Sequence, residues 1–313
     1  MSICDKLYEE IRKIPIVDIH THVDFKNPFA KNAWYLLSYH YFTEMAHSQG
    51  MRREIVTSGK YSDEERVKEI FKYFPGMVAT EPYRWLLSLS RRLFNFPDSH
   101  LEPDNWKDYW ECVENKSTHS DRLKEICNIS EIESIALTNL PWESLDGVEK
   151  YTNRDGAQLF IPTFRVDPLL SGDKSSIERL QESTGIEISN LRSFEDAIVG
   201  RLSYFKEKGA RSLAFSVKPD PVMVEVKRGE AERIFDRVMR EGRLYGRDDL
   251  VKFRSHILEF LCTLCQSYNI AFQWMVGVEK DVYLHGVPGG MDILHPMGAL
   301  KGISFLLNKY PKV

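Results

Sequence analysis

Five short runs of apolar and β-branched residues, each bounded by turn residues and separated by stretches of helical spacing, limit the folds open to this chain. They are IPIVDIHTH (14–22), ESIALTNL (133–140), QLFIPTFRVDP (158–168), ARSLAFSVKP (210–219) and IAFQWMVGV (270–278). Most are apolar on both faces, as strands of a parallel sheet are when helices cover both sides. Helical patterns occupy 192–208, stopped by a capping Gly209, and then 228–242, 250–268 and 297–309. Strand and helix in alternation predict an α/β fold built from βα repeats.

The first two runs are separated by residues 29–130, rich in aromatic and charged side chains, with clear helices in DEERVKEIFKYF and EPYRWLLSLSRRLF. That is too long for a loop and reads as a helical insertion over one end of the sheet. At 313 residues the expected organisation is one barrel-like domain over 1–313 with 29–130 inserted into it. A net charge of −4 without a long basic or acidic block argues against nucleic acid or an anionic membrane as partner. The N-terminal MSICDKLYEEIRKIP lacks the apolar stretch of a signal peptide, and no run of about 18 apolar residues occurs, so a cytoplasmic location is expected.

The five cysteines are scattered, and the close pair Cys262 and Cys265 lies in the helical pattern SHILEFLCTLCQSYN. A single CxxC lacks the second pair a structural zinc site needs, so both are read as core.

Three constellations could carry chemistry. In a strand, His20 and His22 face one side and Thr21 the other, and two imidazoles about 7 Å apart can converge on one ion at the strand end. The C-terminal ends of strands are where βα barrels place their active sites. The plainer reading is two hydrogen-bonded histidines at a core boundary. In WYLLSYHYFTEM (34–45), His40 and Tyr41 offer a base with a proton donor beside it, or simply an aromatic packing face. In FRVDPLL (164–170), the Arg165 fork suits a substrate carboxylate, or pairs with Asp167 to tie down a strand end. Beyond the fifth run come Lys280 and the loop HGVPGGMDILHP with His285 and His295, a mobile cover or an idle connection.

HTH, YHY, FRVDPLL and WMVGVEKD, in this order and spacing from Ile16 to Val313, resemble the uronate (glucuronate) isomerase family of the amidohydrolase superfamily. HxH is shared across that superfamily; its combination with YHY and R-x-DP is more specific. The resemblance implies a metal-dependent TIM-type (β/α)8 barrel that interconverts a uronate aldose and ketose in hexuronate catabolism, glucuronate with fructuronate or galacturonate with tagaturonate. It implies His20 and His22 as metal ligands, His40 and Tyr41 as catalytic residues, and Arg165 and Lys280 as substrate-binding residues. It further implies a divalent metal, with zinc expected, and a small sugar acid as partner, and it admits a homo-oligomer.

The chain departs from the family pattern. Where the family carries a histidine in the fifth strand, as in QLHIGA, with an arginine soon after, this chain has QWMVGVEK, with Met275 and Lys280 at those places. Where the family reads DHYKWR, the chain has Tyr39, His40, Tyr41 and Phe42. These mark a divergent branch. A barrel needs eight strands and five are read before LLNKYPKV, so the expectation is a C-terminally incomplete barrel of about five βα units, or one closed by partner chains. The family's aspartate at the eighth strand has no counterpart, and two histidines are one ligand short of a usual catalytic zinc site. Asp24, Asp167, His285 and His295 are substitutes that the spacing does not separate. Two rival readings are a metal-dependent hydrolase of the same superfamily and a non-catalytic barrel fragment that associates with a partner through its exposed edge.

Overall fold

The computed structural model describes residues 2–117, 122–217, 222–276, 278–279, 282–289, 293–294 and 299–312. The chain divides into two compact units, one of Met1–Lys26, Glu131–Val278 and Leu294–Val313, the other of Asn27–Ser130 and Glu279–Ile293.

The first unit is α/β. Its strands are β1 (Ile16–Asp18), β2 (Ile132–Ala136), β3 (Phe160–Ile161), β4 (Thr163–Arg165), β5 (Ser212–Val217) and β6 (Ala271–Val276). All their pairings are parallel, in the orders β1-β2-β3 and β4-β5-β6. The third apolar run is split at Pro162, which has no N–H to give the ladder. Even-numbered N–H groups of this run face β5, as Val166 shows by donating to the Ala214 carbonyl at 2.9 Å, so Pro162 removes one β5-facing bond. The other edge stays intact. Leu137 N–H donates to Ile161 O (2.8 Å), Asn139 N–H to Thr163 O (3.0 Å) and Arg165 N–H to Asn139 O (3.0 Å), so both halves form one sheet of five strand positions.

That sheet is curved. Laid flat, five strand positions would hold the outer two about 19 Å apart at the usual spacing of roughly 4.8 Å. Yet Gln273 of β6 donates through Nε2 to the carbonyl of Ile19, just past β1, at 3.2 Å. Gln273 therefore lies on the concave face, and the strand ends converge there.

Helices Lys174–Thr184 and Leu191–Glu207 connect β4 to β5, and Arg228–Glu241 and Arg247–Tyr268 connect β5 to β6. The second of these starts on a capping box between Asn190 and Ser193 and buries Phe194, Ile198, Leu202 and Phe205 along one face. It ends with Lys208 at the cap and Gly209 one residue further, at φ +94°, a conformation that favours glycine. Cys262 and Cys265 are buried in the helix Arg247–Tyr268 as free thiols, and burial pushes both up to about 12, so they belong to the core.

Burial on both faces holds for β3 and β4 but not for β1. Ile16 and Val17 are 50% and 53% exposed, and the helix Ile3–Ile11 buries none of its residues, leaving Ile3, Leu7, Tyr8 and Ile11 exposed. Among the described residues β1 pairs with β2 alone.

The second unit is helical: Ala33–Leu37, His40–Ser48, Arg53–Thr57, Asp63–Phe71, Glu81–Phe94, Trp106–Ser117 and Arg122–Ile129. Asp63–Phe71 starts on a Ser62–Glu65 capping box with three acidic residues in its first turn, both favourable at a helix N-terminus. The sequence pattern carries this helix to Phe74; it stops at Phe71 and tightens into a 3₁₀ turn over Phe74–Met77, because Pro75 disfavours α geometry at the residue before it. Phe71 is fully buried, with its ring 4.9 Å from Phe74 and 5.2 Å from Tyr109. Phe71→Ala should lower unfolding free energy by about 3–5 kcal/mol, read from the midpoint of a urea titration. Among the described residues no helix is long and apolar enough to cross a membrane.

Candidate active site

At the C-terminal ends of the parallel strands, the segment after β1 carries both histidines. β1 is shorter than the sequence pattern predicts and stops at Asp18, whose Oδ1 accepts the His20 N–H at 3.2 Å in place of a ladder partner. The chain nevertheless runs on beside β2, with Thr21 N–H donating to Ala136 O at 2.9 Å. The His20 and His22 rings lie on the same side, edge to face, with centroids 5.1 Å apart.

Their surroundings define their protonation. Thr138 Oγ1 donates to the Thr21 carbonyl at 2.7 Å, so the 3.1 Å contact with His22 Nδ1 has the imidazole as donor. In the neutral ring this tautomer leaves the lone pair on Nε2. Burial, followed by the positive charge of Arg165, lowers the His20 pKa against smaller opposing effects of Asp18 and Asp167, so this ring is neutral at pH 7. His20 Nε2 is buried with no hydrogen-bond partner among the described residues. The neutral His20 imidazole, with its orphaned buried nitrogen, and the His22 ring beside it are a donor set that fits a divalent ion. Among the described residues they gain no third His, Cys, Asp or Glu to form a larger group.

Arg165 ends β4, one strand position beyond Thr138 and Asn139. Its Nε donates to Asp167 Oδ2 at 3.2 Å, while Asp167 Oδ1 accepts the Ser216 N–H from β5 at 3.1 Å. The Arg–Asp tie is thus present. It uses only Nε, and the two terminal guanidinium nitrogens make no hydrogen bond with a described residue. The first unit therefore brings together His20, His22 and Arg165.

His40 and Tyr41 belong to the helical unit, at the start of His40–Ser48. His40 Nδ1 donates to Glu44 Oε1, one helical turn on, at 2.6 Å, and the His40 and Tyr41 rings are 4.3 Å apart. Burial and then Tyr41 raise the neighbouring Tyr39 phenol above its usual range. Gly289 sits against this histidine at φ +87°, and a Cβ there would stand 2.5 Å from His40 Cβ, so the position requires glycine. Lys280 and His295 lie outside the described residues; His285 packs edge-on to Tyr283 at 6.4 Å.

The family model described as glucuronate isomerase matches residues 2–311. The chain belongs to the glucuronate isomerase family. The uronate isomerase of Bacillus licheniformis is 27% identical over 287 residues, which are 88% of this chain and 60% of that protein. The chain thus spans about 60% of the length of the curated relatives it matches first. Crystal structures of a uronate isomerase from Thermotoga maritima and a glucuronate isomerase from Caulobacter crescentus superpose with TM-scores of 0.87 and 0.83, each at 22% identity. These superpositions cover 98% and 97% of this chain and 71% and 67% of theirs, and establish a shared fold.

Sequence reasoning missed Thr138, Asn139 and Glu44 in this member of the glucuronate isomerase family. Asn139, whose buried Oδ1 has no partner among the described residues, and Thr138 act across a strand register that no local pattern encodes. Glu44 was within reach, since residues four apart on a helix are neighbours.

Proposed function

We propose that the chain carries the sugar-acid site of a uronate isomerase, converting D-glucuronate to D-fructuronate or D-galacturonate to D-tagaturonate. The supporting observation is the grouping of His20, His22 and Arg165 at neighbouring C-terminal strand ends, in a chain matched over residues 2–311 by this family. We assign the curved parallel sheet to a TIM-type (β/α)8 barrel in which β1–β6 fill five positions and residues 29–130 form an insertion after the first strand. The exposed apolar face of Ile3–Ile11 and β1 favours association, and a homo-oligomer belongs to the same proposal.

The reaction moves a carbonyl from C1 to C2: the C2 proton leaves and one returns at C1, while a hydroxyl proton passes from O2 to O1. Arg165 holds the substrate carboxylate through its terminal nitrogens, with Asp167 fixing the plane of the guanidinium. The family resemblance gives the transfer of the C2 proton to C1 to His40, whose Nδ1–H is held by Glu44. The same resemblance gives Tyr41, beside His40, the proton exchange at the oxygens, one proton given to O1 and one recovered from O2. His20 and His22 would hold a divalent ion, which when bound supplies Lewis-acid polarisation of the carbonyl oxygen. The family resemblance gives Lys280 a second substrate contact.

The test is a product assay. The purified chain with added zinc is incubated separately with D-glucuronate, D-galacturonate, uronolactones and small amides. Ketose formation from a uronate is expected; hydrolysis of the lactones or amides with no ketose would replace this reading by a hydrolase.

A further inference from the structure

The helix Glu81–Phe94 of the helical unit presents Arg84, Ser88, Arg91 and Asn95 at positions i, i+4, i+7 and i+11, along one exposed face. Arg92 adjoins them, and all five line an open hollow of about 740 Å³. A hollow of that size falls within the range that holds small ligands. Its accessible apolar wall is Leu87 and Pro97, while Asn95 turns left-handed at φ 58° and Phe96 beyond it is buried in the core, its N–H donating to Ser90 O at 3.1 Å.

The three guanidinium groups make no hydrogen bond or ion pair with any described residue, and the side chains of Ser88 and Asn95 likewise carry no partner among them. Six other arginines, Arg66, Arg122, Arg165, Arg201, Arg228 and Arg254, are bound to carboxylates or carbonyls. Structural needs account for only part of the cluster. Arg91 and Arg92 sit in the last helical turn, where the helix dipole favours cations, but Arg84 sits near the first, where it does not. Three like charges around one hollow repel one another unless an anion is present.

We propose that this hollow is a binding site for a small organic anion carrying at least two negative charges, as phosphate or carboxylate groups, with a ring or other apolar part against Leu87 and Pro97. Arg84 and Arg91 are about 10 Å apart along the helix axis at 1.5 Å per residue, which suits two separated anionic groups, or one group reached by both long side chains. Guanidinium forks bind both oxyanion types in bidentate fashion, and Ser88 and Asn95 add neutral donors between them. The site involves none of the residues assigned to isomerisation.

The test is calorimetric titration of the full chain at low salt with inorganic triphosphate, ATP and digalacturonate, repeated on Arg84→Ala/Arg91→Ala. Saturable binding of at least one probe is expected, weakened about tenfold or more in the double variant and by added salt, with uronate isomerisation unchanged. Binding of triphosphate and ATP alone assigns a phosphate ligand; binding of digalacturonate alone assigns a carboxylate one. If none of the three binds at millimolar concentration, or if the double variant binds as the parent does, the proposal is wrong. Circular dichroism of the double variant guards against misfolding, and Arg84→Gln/Arg91→Gln, which keeps part of the packing, should show the same loss.

Discussion

Replacing His20 with alanine in the purified, folded chain is expected to abolish stoichiometric binding of a divalent ion and to reduce uronate isomerisation by more than about 100-fold. The basis is specific to this ring: burial and the nearby Arg165 keep it neutral, and its Nε2 is enclosed with no other partner among the described residues. His22→Ala should act in the same direction. Thr138→Val, which removes the acceptor for His22 Nδ1 but retains the branched shape, should weaken the ion roughly 10- to 100-fold without abolishing binding. Metal analysis after gel filtration measures all three. An ion content unchanged in His20→Ala would separate these histidines from any metal role.

The second large effect lies away from the site. Glu195, 7% exposed, accepts Arg228 Nη1 at 2.6 and 2.7 Å and faces His256 Nε2 at 2.9 Å, joining the helices Leu191–Glu207, Arg228–Glu241 and Arg247–Tyr268. Glu195→Ala would leave His256 and Arg228 without this partner and should cost about 3 kcal/mol of stability, the lower end for a buried network because Arg228 is half exposed. Burial alone would raise the Glu195 pKa, but the hydrogen bonds from His256 and Arg228 outweigh it and hold the carboxyl below its usual range. Its folded pKa is therefore depressed. The stability it contributes is present above the ordinary glutamate value of about 4.3 and is lost as pH falls through the lower folded value. Urea midpoints at pH 7 and at successively lower pH should show the gap between parent and Glu195→Ala closing on the acid side. A gap that stays constant would assign the loss to packing.

These two sites differ in how much of them a sequence can disclose. The β runs stand out because strands covered on both faces are apolar without interruption, but the run 158–168 reads as one strand and its break at Pro162 emerges only in the fold. His20 and His22 share a face by the two-residue period of extended backbone, which needs no tertiary information. Thr138, which sets the tautomer of His22, lies more than a hundred residues away, and only the β1–β2 register brings it there. Glu195, His256 and Arg228 meet through three helices whose individual patterns disclose nothing of one another. The exposed outer face of β1 was also unreadable, because an apolar run looks the same whether or not a neighbour covers it.

Arg165 joins the family membership to the chemistry, so uronate binding by the zinc-supplemented chain tests the account most directly. Titration with D-glucuronate should give saturable binding that D-glucose, lacking the carboxylate, does not reproduce, and Arg165→Ala should weaken it by roughly 30-fold or more. Equal affinity of the parent chain and Arg165→Ala for D-glucuronate would contradict it.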